Sequence, residues 1–325
     1  MGIIGTNQTS AKSRGLHLHS TLGVTTQGLP LGVLSAQCSA PPPAAQQPAH
    51  TLPIEQKKGF SWIKSLRESN ALATEMPATH QVCVMDREAD FFELFAEPRH
   101  QRVDLLVRAK HDRCIAGHDA PQGKPKPKLF ATLKSSKVRA EFSIIIPRQS
   151  SRPKLSKQQA RPKREARTAQ VELRYQQVTL LPPSTLKGAQ PVQLWAIHVS
   201  EPAPPVGEKP IEWMLLSTCD ITDIEMARQL LYWYTLRWRI EDWHRVLKSG
   251  CGIEELAHKS AERLKRAIAI QLVIGWRIML MTLLGRSCPQ LPAEVLFSDL
   301  EVTLLRAYAL KKTYRNRHSW VMPYA

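Results

Sequence analysis

Two short apolar runs, Gln81-Val82-Cys83-Val84-Met85 and Val103-Asp104-Leu105-Leu106-Val107, constrain the fold more than any other feature of the chain. Each has the length of a buried strand and is too short for a buried helix. Between them, Asp86 to Phe95 has helical character and ends before Pro98. Strand, helix and strand in alternation predict an α/β core with a partly parallel sheet. The first run closes on Asp86 and the second on Arg108, Lys110 and His111. Strand C-termini are where α/β sheets commonly place their sites.

The flanking segments read as follows. From Gly15 to Ala36 two apolar strands surround Thr25, Thr26, Gln27 and Gly28, a hairpin pattern. Residues 38–53 are rich in Pro, Ala and Gln and predict a loop. Phe60 to Met76 carries Trp62, Ile63, Leu66 and Leu72 at helical spacing, stopped by Pro77. Between Asp112 and Thr218, strand-like runs at Glu141 to Ile146, Val171 to Leu181, Val192 to Val199 and Ile211 to Ser217 predict an antiparallel β-rich insertion. Its longest connection holds Arg148, Arg152, Lys154, Lys157, Arg161, Lys163, Arg164 and Arg167, opposed by Glu165 alone. That run reads either as a solvated loop or as an arm that follows phosphates. Helices are expected at Asp223 to Lys248, with Gly250 and Gly252 as the stop, at Ala261 to Leu284 and at Glu294 to Leu310. The expected division is a first part of the core over 1–111, the insertion over 112–218, a second part over 219–285 and a helical remnant over 286–325.

Lys and Arg number 45 against 28 Asp and Glu, a net charge of +17. Such an excess favours a polyanionic partner, nucleic acid being the commonest. The six cysteines are scattered, without a C-x-x-C pair, and read as reduced, mostly buried thiols of a cytoplasmic protein. The start has no basic segment leading into an apolar stretch, so no signal peptide is expected. The most apolar run, Ala267 to Gly285, holds Arg277 near its middle. A charge there is costly in lipid, so a buried helix and no membrane partner are expected.

On a helical wheel at roughly 100° per residue, Tyr234, Arg237, Glu241 and Lys248 fall in one stripe about 60° wide. Trp238 and Arg245 flank it. The opposite arc carries Tyr232, Trp233, Leu236, Ile240, Trp243 and Leu247, the face to bury. Ion pairs such as Arg237 with Glu241 on a solvated helix would account for such a stripe. Likewise Asp86 could simply cap the helix that follows it. Together, however, a carboxylate at a strand end and one on a helix crossing the sheet offer the hard oxygen donors that Mg²⁺ takes.

These residues resemble a known family. Tyr234-x2-Arg237-x3-Glu241-x6-Lys248 has the spacing of the Y-(2)-R-(3)-E-(6)-K signature of IS4-type DDE transposases, and Asp86-Arg87-Glu88-Ala89-Asp90 resembles the segment bearing their second acidic ligand. The resemblance extends from about Gly2 to Leu310 and implies an RNase H-like core interrupted by a β-rich insertion. It further implies a two-ion Mg²⁺ or Mn²⁺ site with Asp86 as the second and Glu241 as the third acid. Tyr234, Arg237 and Lys248 would hold phosphates of double-stranded DNA, together with Arg87, Arg108, Lys110 and His111 and, flanking, Trp238 and Arg245. Trp213 would stack on a displaced base, or else serve only as core. The intact family cleaves transposon ends, transfers strands and works as a homodimer.

One departure stands out. The family's first Asp lies on the first core strand, whereas here no Asp precedes Asp86, and Glu55, Glu68 and Glu75 are no substitutes. The family's N-terminal domain for recognising transposon ends is also missing. The expectation is a truncated chain that binds metal poorly, has little or no cleavage activity and, lacking a central strand, is unstable or aggregates. The alternatives are a non-catalytic DNA-binding remnant that interferes with full-length copies, or an unrelated structural-metal or RNA-binding protein.

Overall fold

The computed structural model describes residues 2–3, 14–40, 52–117, 126–146, 148, 151, 163 and 165–318. Most of the predicted loop over 38–53 lies outside the described residues. So do Arg152, Lys154, Lys157, Arg161 and Arg164 of the basic connection.

Strands β1 (Gly2–Ile3) and β2 (Arg14–Gly15) pair briefly. They lead into the predicted hairpin, β3 (His17–Val24) and β4 (Pro30–Ser39). Its turn places Gly28 at φ 86°, a left-handed conformation that suits glycine. The Thr25 hydroxyl accepts from the amides of Gln27 and Leu29 and closes the turn. Helix α1 (Phe60–Glu75) and strand β5 (Gln81–Met85) follow as predicted. The segment after Asp86 is not one helix. It is a 3-10 turn at Arg87–Ala89 and a short helix α2 (Phe92–Ala96), leading to β6 (Val103–Arg108). The interruption comes at Asp90, whose side chain is drawn inward to partners beyond β6.

Helix α3 (Leu129–Ser135) has no counterpart in the sequence reading. Next come β7 (Ala140–Ile146), β8 (Arg167–Leu180), β9 (Val192–Ser200) and β10 (Glu212–Ser217). These four strands are antiparallel to their neighbours, and β10 also pairs with β6. Since β5 and β6 are parallel, the result is one mixed six-stranded sheet in the order β5-β6-β10-β9-β8-β7. The protein is thus mixed α/β.

Alternation along the strands divides the interior in two. On one face Met85, Leu105, Val107 and Leu216 pack with Ile63 and Leu66 of α1 and with Phe92, Phe95, Leu129 and Leu133. On the other, Leu106, Leu173, Ile197 and Leu215 meet Ala227, Leu230, Leu231 and Tyr234 of helix α4 (Ile224–Leu236). Helix α5 (Arg239–Arg245), a π turn at Val246–Gly250 and helix α6 (Ala261–Ser287) enclose a third core with the hairpin, built on Trp243, Leu247, Leu264, Ile268 and Leu272.

The β layer is interrupted where the helices are not. Among the described residues, β5 is an edge of the six-stranded sheet and β3 pairs with β4 alone. Yet α1 serves both sheets: its Ser65 hydroxyl accepts from Thr21 and Gln37 of the hairpin, while its apolar side joins the core under β5. A cleft of about 260 Å³ lies between hairpin and α1, lined in part by Thr21, Ser35, Ser65, Glu68 and Ser69.

Helix α6 was expected to be buried and is so on one face only. Ile270, Val273 and Ile274 are exposed, and Arg277 pairs with Glu301 at 2.8 Å. It is the one described helix long and apolar enough to cross a membrane. The predicted tail helix begins later than expected, as α7 (Asp299–His318) after a 3-10 turn at Ala293–Val295.

Candidate functional site

The predicted helix over Asp223 to Lys248 is two helices. Asp223 caps the first, accepting from the Met226 amide at 2.8 Å. At Arg237 and Trp238 the backbone tightens: the amides of Arg237, Trp238, Ile240 and Glu241 each bond to the carbonyl three residues back. The tip of the hairpin sits against this break. A Cβ on Gly28 would lie 2.9 Å from Leu236 Cδ2 and 3.2 Å from Arg239 Nε. Regular helical turns resume at Arg239 and widen into the π turn, so a single helical wheel does not describe the stripe.

The four residues of that stripe have different surroundings. Tyr234 is 5% exposed and meets Trp213 edge-on, ring centroids 6.0 Å apart. Trp213, half-buried, packs against the second core. The Arg237 guanidinium lies over the Trp238 ring at 4.9 Å and 3.6 Å from Glu241 Oε1, and its Nε is buried without a partner. Glu241, in the first turn of α5, is exposed, as is Trp238. Lys248 sits in the π turn and pairs with Glu254 at 2.8 Å, and Arg245 pairs with Asp242.

At the end of β5, Asp86 does cap the turn after it, its Oδ1 accepting from the Glu88 amide at 2.7 Å. Arg87 is exposed, as is Glu88, which pairs with Lys58. At the end of β6, Arg108 reaches the Glu212 carbonyl at 3.4 Å, while Lys110 and His111 project into solvent.

Two histidines lie between these limbs, and the sequence reading passed over both. His19 is on β3, edge-on to Trp62 at 4.7 Å. His244 is on α5, one turn beyond Glu241, with Nε2 3.4 Å from the Ser20 hydroxyl, which also accepts from Trp243. Burial lowers the pKa of both. Against that, Glu68, Asp86 and Glu88 raise that of His19, and Glu241 raises that of His244. His244 in turn lowers the pKa of His19, and Lys248 lowers that of His244. The charge of Asp86 thus acts on the hairpin at His19, and that of Glu241 acts on His244, which meets the hairpin at Ser20. The signal for His244 was its place three residues after Glu241.

Among the described residues, no group of three or more His, Cys, Asp or Glu is placed to hold a metal ion. Two carboxylates with spare oxygens suit an ion of the Mg²⁺ kind, which completes its shell with water and phosphate, but make only a weak site. All six cysteines are free; Cys219 alone is buried, its thiol pushed up to about 12 mainly by desolvation. Compared with models of known protein families, the chain matches none.

Proposed function

We propose that this chain is the catalytic part of an IS4-type DDE transposase, with an RNase H-like core, acting on double-stranded DNA in the cytoplasm. It holds two of the three acids, Asp86 and Glu241. The observation that carries this reading is the seating of α5, which bears Glu241, on the hairpin through Ser20, within hydrogen-bond reach of both His244 and Trp243, beside a neighbouring β3 residue, His19, on which the Asp86 charge acts. Among the described residues β5 is an edge of its sheet and β3 pairs with β4 alone, an arrangement compatible with a strand of the RNase H-like core between them.

In this reading the chain contributes position and charge. Asp86 and Glu241 supply hard oxygen donors; Mg²⁺ or Mn²⁺, when bound, would activate water or a 3′-hydroxyl for attack at phosphorus. Arg237, backed by Trp238, and the exposed Arg87 and Lys110 offer cations to the DNA backbone, and the exposed His111 offers a ring N–H donor. Arg108, Arg245 and Lys248 would join by leaving the partners they now hold. Tyr234, being buried, supports Trp213, and stacking of a base on Trp213 requires the indole to turn outward. The exposed apolar residues Leu300, Leu304 and Tyr308 of α7 suit the homodimer of the intact family.

The test is DNA spanning the ends of the encoding element, incubated with Mg²⁺ or Mn²⁺. The expected result is steeply salt-dependent binding with slow nicking that Glu241→Gln abolishes. Absence of salt-dependent binding would overturn the reading. Binding without any nicking would favour a non-catalytic remnant, a reading that the lack of a three-residue metal cluster among the described residues also favours.

A further inference from the structure

Asp90 is an acid with no role in the chemistry above, and its carboxylate is wholly buried. Its Oδ2 accepts from two consecutive backbone amides, Lys110 at 2.6 Å and His111 at 2.8 Å. Its Oδ1 accepts from Arg113 Nη2 at 2.5 Å, and the same nitrogen donates to the Asp90 carbonyl at 2.6 Å. Two neighbouring amides converging on one oxygen form a concave anion site. Here a carboxylate of the protein fills it, and Arg113, itself largely buried, balances the charge.

We infer that Asp90 is a positioning residue that holds the acidic and basic limbs of the site in fixed register; the inference rests on the DNA-cleaving reading above. Asp90 ends the turn that Asp86 opens, only four residues away. Its partners belong to the turn that follows β6. Because the Lys110 and His111 amides point inward to Asp90, their side chains are sent outward, where both are exposed. Their backbone amides are therefore not free for phosphate, and this turn meets DNA through its side chains.

The experiment joins DNA binding with amide hydrogen exchange on the full chain. Asp90→Asn keeps one acceptor oxygen but turns an amide group toward donors. It should weaken DNA binding about tenfold and speed exchange at the Lys110 and His111 amides. In a Lys110→Ala/His111→Ala background the same change should add less than about twofold. Asp90→Asn with Arg113→Gln, a neutral pair of matching donors and acceptors, should recover most of the loss. Should Asp90→Asn fail to fold, Arg113→Gln, which removes the charge and shortens the donor that holds Asp90, carries the same expectations. An equal loss of DNA binding in both backgrounds, or unchanged exchange at the two amides, would overturn the inference. A wild-type chain that does not bind DNA would sink the functional reading, while the exchange data would still judge the clasp.

Discussion

His19 and His244 give the site a pH signature. Burial lowers the pKa of both, despite carboxylates that pull the other way. A histidine whose folded pKa lies below its unfolded value is protonated more readily in the unfolded chain, so stability is full above the unfolded pKa and falls as pH drops through it. His198, also lowered chiefly by burial, acts in the same direction. The denaturation midpoint should therefore fall from pH 7.5 to pH 5.5, and His19→Asn with His244→Asn should flatten the fall. A midpoint insensitive to pH in the wild-type chain would contradict the burial of the two imidazoles. Single residues were the least legible scale in the sequence. Asp86 and Glu241 stood out by strand end and helix spacing, but the inward turn of Asp90 depends on amides two elements away.

Most elements were legible because their patterns are local. The hairpin, α1, β5 and β6 follow from apolar runs bounded by Thr-Thr-Gln-Gly, Pro77 and Pro98. The break between α4 and α5 was not, since no Pro or Gly marks Arg237 or Trp238. Its neighbour is tertiary, the tip of the hairpin some two hundred residues earlier in the chain. Gly28 measures that contact. Gly28→Ala meets both a left-handed backbone and Leu236 at 2.9 Å, whereas Gly188→Ala meets a similar φ of 80° with nothing within 4 Å. Backbone strain alone costs about 1 kcal/mol; the clash should add about 1–2 kcal/mol at Gly28 and move the Arg237–Glu241 segment. Denaturant titration of the two variants checks the difference, and equal losses would show that the hairpin tip does not set the break.

At the scale of the molecule, the sequence reading anticipated mixed α/β structure with antiparallel strands after residue 112. It did not anticipate that β10 would pair with β6 and make those strands one sheet with β5. Pairing between segments more than a hundred residues apart leaves no periodic trace in either. Helix α1 joins the hairpin to the core under β5, and α5 and α6 pack on the same hairpin, so one hairpin touches both the β5 side and the α5 side of the molecule. A net charge of +17 favours a polyanionic partner, the class to which DNA belongs. The central claim is that Asp86 and Glu241 serve one divalent-ion site, and iron-directed cleavage tests it most directly. Fe²⁺ at on the order of 1 mM, suited to a weak site of few protein ligands, is added with ascorbate and peroxide to cut the backbone beside the ion. The account predicts cuts near both Asp86 and Glu241, suppressed by excess Mg²⁺ and lost from both segments in Glu241→Gln. Cuts at only one of the two, or at neither, would contradict it.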